Sequence, residues 1–450
     1  MKRRFLALLL ASAMAFSLTA CGGESSESGD SAANTQDTAD SEQASDSSGQ
    51  DSSGGDTIRL VNGKIEVDSQ LKKLADMYKE ETGVTVEIES MGGGVDIQGT
   101  LKGYYQADNM PDIFVNGGSA DFANWTGLVE DLSDEAWVSD TDAAYEEDGK
   151  VIGFPYTIEA IGLAYNADIL DKAGIDPSTL TSPKAIEDAF ATLDSKKDEL
   201  GITAVVGYCT EPVSLYWSTG NHVFANYLDA GLDRDDTTYF DMIADGGKFD
   251  EARLKNFASL VGLLNQYSDP DLLISGTYDQ QILNFTSGKY AFVTQGSWIG
   301  ATMVNDDEEA YKEAGEFKCG MVPYAFEDGI DTILTNSPSY WAVFKDGNAT
   351  AAKAFLQWLT TDEAQKVLVE EAGFVSPFKS CTYVASDPFA ATISDYTAAG
   401  KTSAWHWLDL KEGLAQNVLG QIFTDYASGA LDEDAFVSTV QSAVASYYGN

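Results

Sequence analysis

The chain has 450 residues, of which 44% are hydrophobic, so it is long enough to bury the cores of two or three domains. It carries 27 Lys and Arg against 72 Asp and Glu, a formal net charge of −45. No basic surface is therefore expected for a phosphate backbone, which excludes nucleic acid as an expected partner. Its two histidines lie far apart and its four cysteines form no C-x-x-C pair, so we expect no metal site and no cofactor.

The first 20 residues have the plan of a secretory signal peptide. A basic start at residues 2–4 precedes an apolar run that is too short to cross a bilayer as a helix. Residues 18–21, Leu-Thr-Ala-Cys, resemble the bacterial lipobox, in which processing leaves the cysteine as the new N-terminus with a diacylglycerol on its sulfur. We therefore predict lipidation of Cys21. The alternative is an ordinary signal peptide that is cleaved beside a cysteine.

Residues 21–56 follow as an acidic tether rich in Ser and Gly. Residues 22–56 contain nine carboxylates and no aromatic, Leu, Ile, Val, Lys or Arg, so they cannot bury enough apolar surface to offset the entropy of ordering. No later apolar run reaches the ~18 residues of a membrane helix. We expect a protein held by its lipid alone at the extracellular face of the cell membrane, as in Gram-positive-type surface lipoproteins.

The folded region begins at residue 57 with a β-α-β pattern. Residues 57–61 form an apolar strand, apolar residues recur at helical spacing over 67–78, and residues 84–89 alternate in polarity as a strand does. A second helix at 97–105 leads to a strand at 111–115. This alternation predicts parallel strands under crossover helices, with ligands at the carboxyl ends of the strands.

The α/β pattern continues to the end of the chain. Thr360 and Glu363 have the spacing of a capping box that would start a helix, which Gly373 can close. Further predicted helices are at residues 182–200, 249–266, 351–359, 414–426 and 436–444, and further strands at 204–207, 290–293 and 339–344. Strands along the whole length suit two α/β lobes that are linked by more than one crossing.

Four segments then carry a resemblance to the extracellular solute-binding proteins of sugar ABC transporters, the maltose-binding-protein-like group. They occur in family order across most of residues 57–450, and together they are far more specific than any one alone. The segments are PDIFVNGGSADFANWTGLVEDLSDE at 111–135, DGKVIGFPYTIEAIGLAYNADILDKAGID at 148–176, FTSGKYAFVTQGSWIG at 285–300, and residues 337–378.

The resemblance implies a two-lobed α/β fold of the type II periplasmic-binding-protein class, with three interlobe crossings near residues 157–161, 334–337 and 373–377. By this analogy the N-terminal lobe comprises residues 57–158 plus 337–374. The C-terminal lobe comprises residues 159–336 plus 375–450.

The same resemblance suggests ligand-binding residues, and sugar chemistry agrees, because hydroxyls need carboxylate or amide partners and C–H faces stack on aromatic rings. Glu159 matches a ligand-contacting acid, and Tyr156, at the start of the same run, is a further predicted ligand contact. For Glu159, the alternative is a solvated or hinge-capping glutamate. Asn116 and Ser119 follow a strand end, where the alternative role is a helix N-cap.

Aromatic candidates complete the expected site. Trp298 matches the stacking tryptophan of the family, Tyr216 and Trp217 match a second aromatic contact more loosely, and Trp405 lies where relatives supply another ring. For Trp298 and Trp405, core packing is the alternative. Tyr340 and Trp341 stand where many relatives have small residues, so they would either fill a subsite or stack on the ligand.

The resemblance implies a monomer without catalytic residues. It would capture a neutral mono- or oligosaccharide and deliver it to the permease subunits of an ABC importer. Two alternatives remain: a surface glycoside hydrolase, which needs two carboxylates ~5 to 10 Å apart across a cleft, and a solute-binding protein for a ligand that is not a sugar. Sequence alone does not decide whether Cys209, Cys319 and Cys381 pair, although one of three must stay free in a monomer.

Overall fold

A computed structural model describes residues 57–92 and 95–449. The predicted signal peptide, Cys21 and the tether lie outside the described residues. The strands are β1 (Thr57–Asn62), β2 (Thr85–Ser90), β3 (Ile113–Asn116), β4 (Tyr145–Glu147), β5 (Lys150–Pro155), β6 (Glu159–Ile161), β7 (Leu163–Asn166), β8 (Ala204–Gly207), β9 (Tyr290–Val293), β10 (Cys319–Val322), β11 (Ile333–Asn336), β12 (Tyr340–Val343) and β13 (Thr402–Ser403).

Helices connect and cover these strands. The α-helices are α1 (Asp68–Thr82), α2 (Ile97–Gln106), α3 (Ser119–Ala123), α4 (Ala167–Ala173), α5 (Pro183–Ser195), α6 (Lys197–Leu200), α7 (Phe224–Asp229), α8 (Thr238–Ala244), α9 (Glu251–Tyr267), α10 (Tyr278–Thr286), α11 (Ile299–Val304), α12 (Glu308–Glu313), α13 (Ala349–Trp358), α14 (Asp362–Lys366), α15 (Ala390–Ala398), α16 (Gly420–Ala427) and α17 (Glu433–Tyr447). Short 3-10 helices span Ile65–Val67, Ala136–Asp140, Pro177–Thr179 and His406–Asp409, and π-helical turns span Ser218–Val223, Val367–Glu371 and Ala415–Leu419.

A six-stranded sheet organises the first lobe, in the order β2-β1-β3-β12-β5-β4. Strand β1 is parallel to β2 and β3, as the opening β-α-β pattern predicts, whereas β12 runs antiparallel to β3 and β5. Helix α1 buries its apolar stripe, which includes Leu71, Leu74 and Tyr78, in a core that also contains Phe355 of α13. The carboxyl ends of β1 and β3 therefore lie side by side at one edge of this sheet.

A four-stranded sheet organises the second lobe, in the order β10-β7-β9-β8. Strands β8 and β9 are parallel and the other pairs are antiparallel. Its large core includes Phe190 of α5, Phe257 of α9 and Phe436 of α17. Polar side chains fix where these helices begin: Ser182 accepts from the N–H of Ala185 at the start of α5, and Asp250 accepts from the N–H of Arg253 at the start of α9.

A small three-stranded sheet, in the order β13-β11-β6, lies where the chain passes between the two larger sheets. The chain leaves the six-stranded sheet after β5 and enters β6, and it returns from β11 to β12. Beside β6, Ile158 forms an antiparallel bridge with Val375. Just before Val375, Gly373 has φ of +75°, a conformation that glycine adopts without strain.

Three local expectations need correction. The predicted capping box at Thr360 does not form, because α14 begins after Thr361 and the hydroxyl of Thr360 donates back to the carbonyl of Gln357. The single helix predicted for 182–200 is broken at Lys196 into α5 and α6. The helix predicted for 414–426 begins as a π-helical turn. These are details of helix ends that apolar periodicity does not specify.

Two findings concern anchoring and redox chemistry. Within residues 57–92 and 95–449, no helix is both long and apolar enough to cross a membrane. Cys209, Cys319 and Cys381 are all free thiols, and Cys209 is buried.

Removing the cap of α9 should destabilise the second lobe. Asp250→Ala deletes the carboxylate that accepts from the Arg253 N–H at 2.8 Å, and we expect the free energy of unfolding to fall by about 1 kcal/mol. Glu251→Ala is the matched control in the same helical turn, where only an exposed ion pair with Lys255 is lost and less than about 0.5 kcal/mol is expected. Denaturant titration measures both changes. Equal losses would contradict the assignment of Asp250 as the cap.

Candidate functional site

A cleft of about 610 Å³ lies between the two lobes. The first lobe contributes loops at the carboxyl ends of β1 and β3, and the second lobe contributes residues around its π-helical turns. Its walls are formed by Gly63, residues 95–98, residues 115–118, Ala120, Asp121, Pro338 and Ser339 from the first lobe, and by Tyr216, Gly220, Asn221, Trp407, Leu408 and residues 410–417 from the second.

A chain of hydrogen bonds orients an amide in the first-lobe wall. The indole N–H of Trp125 donates to Gln98 Oε1 at 2.9 Å, and Gln98 Nε2 donates to Asn116 Oδ1 at 3.2 Å. Asn116 is 1% exposed, and its Nδ2 group has no hydrogen-bond partner among the described residues. These hydrogen bonds therefore fix the Asn116 amide and leave its Nδ2 group uncommitted within the part of the chain that the structure describes.

Asp121 adds a carboxylate to the same wall. Its Oδ2 accepts from the backbone N–H of Gly117 at 2.8 Å, which fixes the turn after β3. Burial raises the pKa of Asp121 to about 6, although the Gly117 hydrogen bond favours the charged form. Asp121 was not predicted, because it lies within α3, beyond the strand-end positions Asn116 and Ser119.

Aromatic rings from the second lobe surround His222, which lies on the π-helical turn Ser218–Val223. The ring centroid of His222 is 4.7 Å from that of Trp298, 5.1 Å from Trp407, 5.3 Å from Trp217 and 6.1 Å from Trp405. We call these five residues the His222 cluster. Three separate segments supply the tryptophans, so no local motif reveals the cluster.

Two indoles of the His222 cluster have committed N–H groups, and two do not. Trp298 donates to Gln295 Oε1 at 3.2 Å and Trp217 donates to the carbonyl of Ser214 at 2.9 Å. The Nε1 atoms of Trp405 and Trp407 and Nδ1 of His222 are buried without a partner in the part of the chain that the structure describes.

Burial, reinforced by the nearby positive charge of Lys64, lowers the pKa of His222 to about 3. The imidazole is therefore neutral at physiological pH, so one ring nitrogen donates and the other accepts. The His222 cluster combines apolar ring faces with uncommitted polar atoms, an arrangement suited to a ligand that has both C–H faces and hydroxyls.

Glu159 is buried on β6 of the three-stranded sheet between the lobes, which we call the hinge, and it does not line the cleft. Its carboxylate forms an ion pair with Lys64, which also lies 3.2 Å from Glu66. Burial alone would lower the pKa of Lys64, but the carboxylates of Glu159 and Glu66 raise it, so the ammonium stays charged. Glu159 and Trp298 instead line a separate hinge cavity of about 20 Å³, together with Asp387. The expected contact of Glu159 with a ligand stays a prediction.

Other predicted site residues occupy the first-lobe core. Trp341 stacks on Tyr156 with ring centroids 4.4 Å apart, and the hydroxyl of Tyr156 forms a short hydrogen bond with Ser339. Tyr340, on the opposite face of β12, packs against Phe122 and Tyr145. The ligand roles of Tyr156, Tyr340 and Trp341 stay untested predictions.

Among the remaining predicted residues, Asn116 and Tyr216 line the cleft. Trp217, Trp298 and Trp405 belong to the His222 cluster, and Trp405 is 1% exposed within the second-lobe core. The backbone N–H of Ser119 donates across the lobes to Asp409 Oδ1 at 2.8 Å.

His222 and Trp407, whose rings the structure places together, were not among the predicted site residues. The sequence signal for His222 was its rarity, one of only two histidines in the chain. For metal binding, no group of three or more His, Cys, Asp or Glu side chains that could hold an ion occurs among the described residues.

The family model for bacterial extracellular solute-binding proteins matches residues 73–409, more than half of the chain. The chain belongs to this family. This solute-binding protein is 25% identical over 388 residues to the melibiose/raffinose/stachyose-binding protein MelE of Bacillus subtilis (strain 168), covering 81% of this chain and 83% of MelE. It is 24% identical over 388 residues to the diacetylchitobiose binding protein DasA of Streptomyces coelicolor (strain ATCC BAA-471 / A3(2) / M145), covering 83% of this chain and 82% of DasA.

Solved structures confirm the fold of the solute-binding protein. The structure of RafE in complex with raffinose matches with a TM-score of 0.68 at 18% identity, covering 87% of this chain and 100% of that chain. The predicted two-lobed α/β fold of the periplasmic-binding-protein class is thereby confirmed, as is the predicted family.

Asp387 in the hinge cavity should make stability depend on pH. It is 8% exposed, and burial raises its pKa to about 7, although the N–H groups of Phe389 and Ala390 favour the charged form. Between about pH 4 and pH 7 the folded protein then holds a proton that the unfolded chain releases. Stability therefore falls as the pH rises through this window.

Asp387→Asn removes this titration and keeps an acceptor for the Phe389 N–H, which lies 2.7 Å from Oδ1. Between pH 5 and pH 8, we expect the unmodified protein to lose roughly 2 to 3 kcal/mol more unfolding free energy than this variant. Denaturant titration at both pH values tests this. The exposed Asp188→Asn, on α5, is the control that should leave the pH dependence unchanged; parallel profiles for Asp387→Asn and the unmodified protein would refute the assignment.

Proposed function

We propose that this solute-binding protein captures a neutral oligosaccharide, of the malto-oligosaccharide type or another gluco- or galacto-oligosaccharide type, in the interlobe cleft and delivers it to an ABC importer. The observation that carries the proposal is the set of buried polar atoms without partners at the cleft and in the His222 cluster, namely Asn116 Nδ2, His222 Nδ1, Trp405 Nε1 and Trp407 Nε1, counted among the described residues. Family membership and sugar-binding relatives support the same ligand class.

Sugar chemistry matches what these groups offer. A buried donor without a partner costs about 1–3 kcal/mol, and a ligand hydroxyl can remove that cost. Indole faces accept the C–H face of a pyranose, and Asp121 supplies a carboxylate acceptor for hydroxyls. The cleft volume of about 610 Å³ lies within the ordinary range for ligand sites.

The charges near the cleft favour an uncharged ligand. Lys64 is held between two carboxylates, and Lys411, which lines the cleft, donates to the backbone carbonyl of Tyr447 at 2.7 Å. Arg234, near the hinge, donates to Thr335 and to the carbonyl of Ser403. These cations are already committed, whereas an anionic ligand needs uncommitted ones.

We also propose how the protein is organised and where it is located. Its lobes comprise residues 57–158 plus 337–374 and residues 159–336 plus 375–450, and it acts as a monomer without catalysis. Its partners are the permease subunits of the importer, and a diacylglycerol on Cys21 holds it at the extracellular face of the membrane. Incubation with oligosaccharides should yield no cleavage products, and turnover would overturn the non-enzymatic assignment.

Calorimetric titration against a panel of neutral oligosaccharides tests the binding proposal. We expect at least one ligand, with affinity weakened by about 1–3 kcal/mol in His222→Phe, which keeps a ring but lacks the nitrogens, and in Asn116→Ala. Tyr311→Phe is the matched control, because it removes the hydrogen bond that the buried Tyr311 hydroxyl donates to the carbonyl of Phe317, outside the cleft. No binding across the panel would refute the proposed function, and unchanged affinity in both variants would move the site elsewhere.

Lipid anchoring is tested separately in cells. The full chain should partition into the detergent phase and incorporate labelled fatty acid, whereas Cys21→Ser should do neither, because it lacks the sulfur that carries the lipid. Cys381→Ser is the control that retains Cys21. Labelling of the Cys21→Ser protein would contradict the predicted anchor.

A further inference from the structure

One short segment of the second lobe reaches across the cleft to the first. Residues 405–410 are fixed to the second lobe, because Leu408 and Leu410 pack in its core and the backbone N–H of His406 donates to Asp229 at 3.0 Å. The 3-10 helix His406–Asp409 therefore presents Asp409 from a firm base.

Asp409 supplies a cap that the first lobe does not provide for itself. Helix α3 starts at Ser119, and its N-cap residue Gly118 has no side chain to bond the first N–H groups. The Oδ1 atom of Asp409 accepts from the Ser119 N–H at 2.8 Å. A carboxylate at a backbone N–H is a charge-assisted hydrogen bond, and this one joins the two lobes.

The two lobes approach each other so closely at Gly118 that there is no room for a side chain on this residue. A Cβ added to Gly118 would lie 2.4 Å from the carbonyl oxygen of Leu408 and 2.6 Å from Asp409 Oδ1. The Leu408 oxygen belongs to the backbone and cannot rotate away, so an alanine at 118 would push the two lobes apart. Gly118, in the first lobe, therefore permits the close approach that the hydrogen bond of Asp409 requires.

The same segment carries residues of the proposed ligand site. Trp407 belongs to the His222 cluster and lines the cleft with Leu408. Asp409 follows two positions later in the same 3-10 helix. A ligand that contacts Trp407 and the hydrogen bond between Asp409 and Ser119 therefore both involve the same short 3-10 helix.

We propose that Asp409 is a positioning residue that, through its bond to the Ser119 N–H beside Gly118, holds the two lobes closed and thereby slows release of the ligand. Only the effect on release rests on the proposed function. The spacing of the lobes in the ligand-free protein does not depend on it.

Pulsed electron paramagnetic resonance measures this spacing in the full chain. Spin labels are placed at Lys79→Cys on α1 and Glu187→Cys on α5, both exposed, after the four native cysteines are replaced by serine. We expect Asp409→Ala and Gly118→Ala to shift the ligand-free distances to longer values. Asp409→Asn keeps an acceptor oxygen and should stay close to the unmodified protein.

Asp432→Ala is the matched control, since Asp432 caps α17 within the second lobe by accepting from the Ala435 N–H at 2.9 Å. It should lower stability without changing the distances. Stopped-flow release of a bound oligosaccharide should be about tenfold faster in Asp409→Ala and unchanged in Asp432→Ala.

The outcomes separate this proposal from the proposed function. Unchanged distances in both Asp409→Ala and Gly118→Ala overturn the role of Asp409, even if oligosaccharides bind. Longer distances in a protein that binds no oligosaccharide support the interlobe role and refute the proposed function alone. Longer distances with an unchanged release rate overturn the link to ligand release.

Discussion

The need of buried polar groups for hydrogen-bond partners governs the interlobe region. At the cleft and in the His222 cluster, donors of Asn116, Trp405 and Trp407 are buried without partners among the described residues. Each such group costs about 1–3 kcal/mol in the unliganded protein. The fold sustains this cost because each side chain is held by something else: Asn116 by Gln98, and the two tryptophans by packing against His222 and the second-lobe core. Under the proposed function, a ligand that accepts hydrogen bonds from these donors recovers that free energy.

The Lys64 and Glu159 pair shows a different use of buried charge. Lys64 follows β1 of the first lobe and Glu159 lies on β6 at the hinge, so their ion pair ties a first-lobe loop to the crossing strand. Removing one member of a buried pair is strongly destabilising, because the other charge stays buried. Substitution of Glu159 would therefore change the hinge as well as any ligand contact, and affinity alone would not separate the two roles. The uncommitted atoms of His222 and Asn116 are better probes of the site.

More of the fold than of the candidate site could be predicted from the sequence. Apolar periodicity reports local structure, so β1, α1, β2 and β9 lie close to where the pattern placed them. Residues at strand ends could also be predicted from the sequence, because parallel strands bring their carboxyl ends together. Asn116, one of these residues, does line the cleft.

Contacts between segments that are distant in the sequence could not be predicted in this way. Tyr340 and Trp341 are adjacent on β12 and point to opposite faces, and helices cover both faces, so each aromatic ring has core neighbours that no spacing reveals. His222 acquires its surroundings from segments near residues 217, 298 and 405–407. Only the tertiary fold brings these segments together. The resemblance to a family suggested Trp217, Trp298 and Trp405 as site residues, but neither Trp407 nor the histidine between them.

The chemistry of the interlobe contacts is consistent with lobes that separate and rejoin. The apolar cores lie within the lobes, whereas contacts across the cleft include the bond of Ser119 to Asp409 and the ion pair of Lys102 with Glu412 at 3.0 Å. Both side chains of that ion pair are about 40% exposed, so it contributes little to stability and water replaces it readily. An apolar interface would instead expose hydrophobic surface on opening, at about 25 cal/mol per Å². Polar contacts keep the joined and the separated arrangement of the lobes close in free energy. A ligand that contacts both lobes can then shift the population toward the joined arrangement.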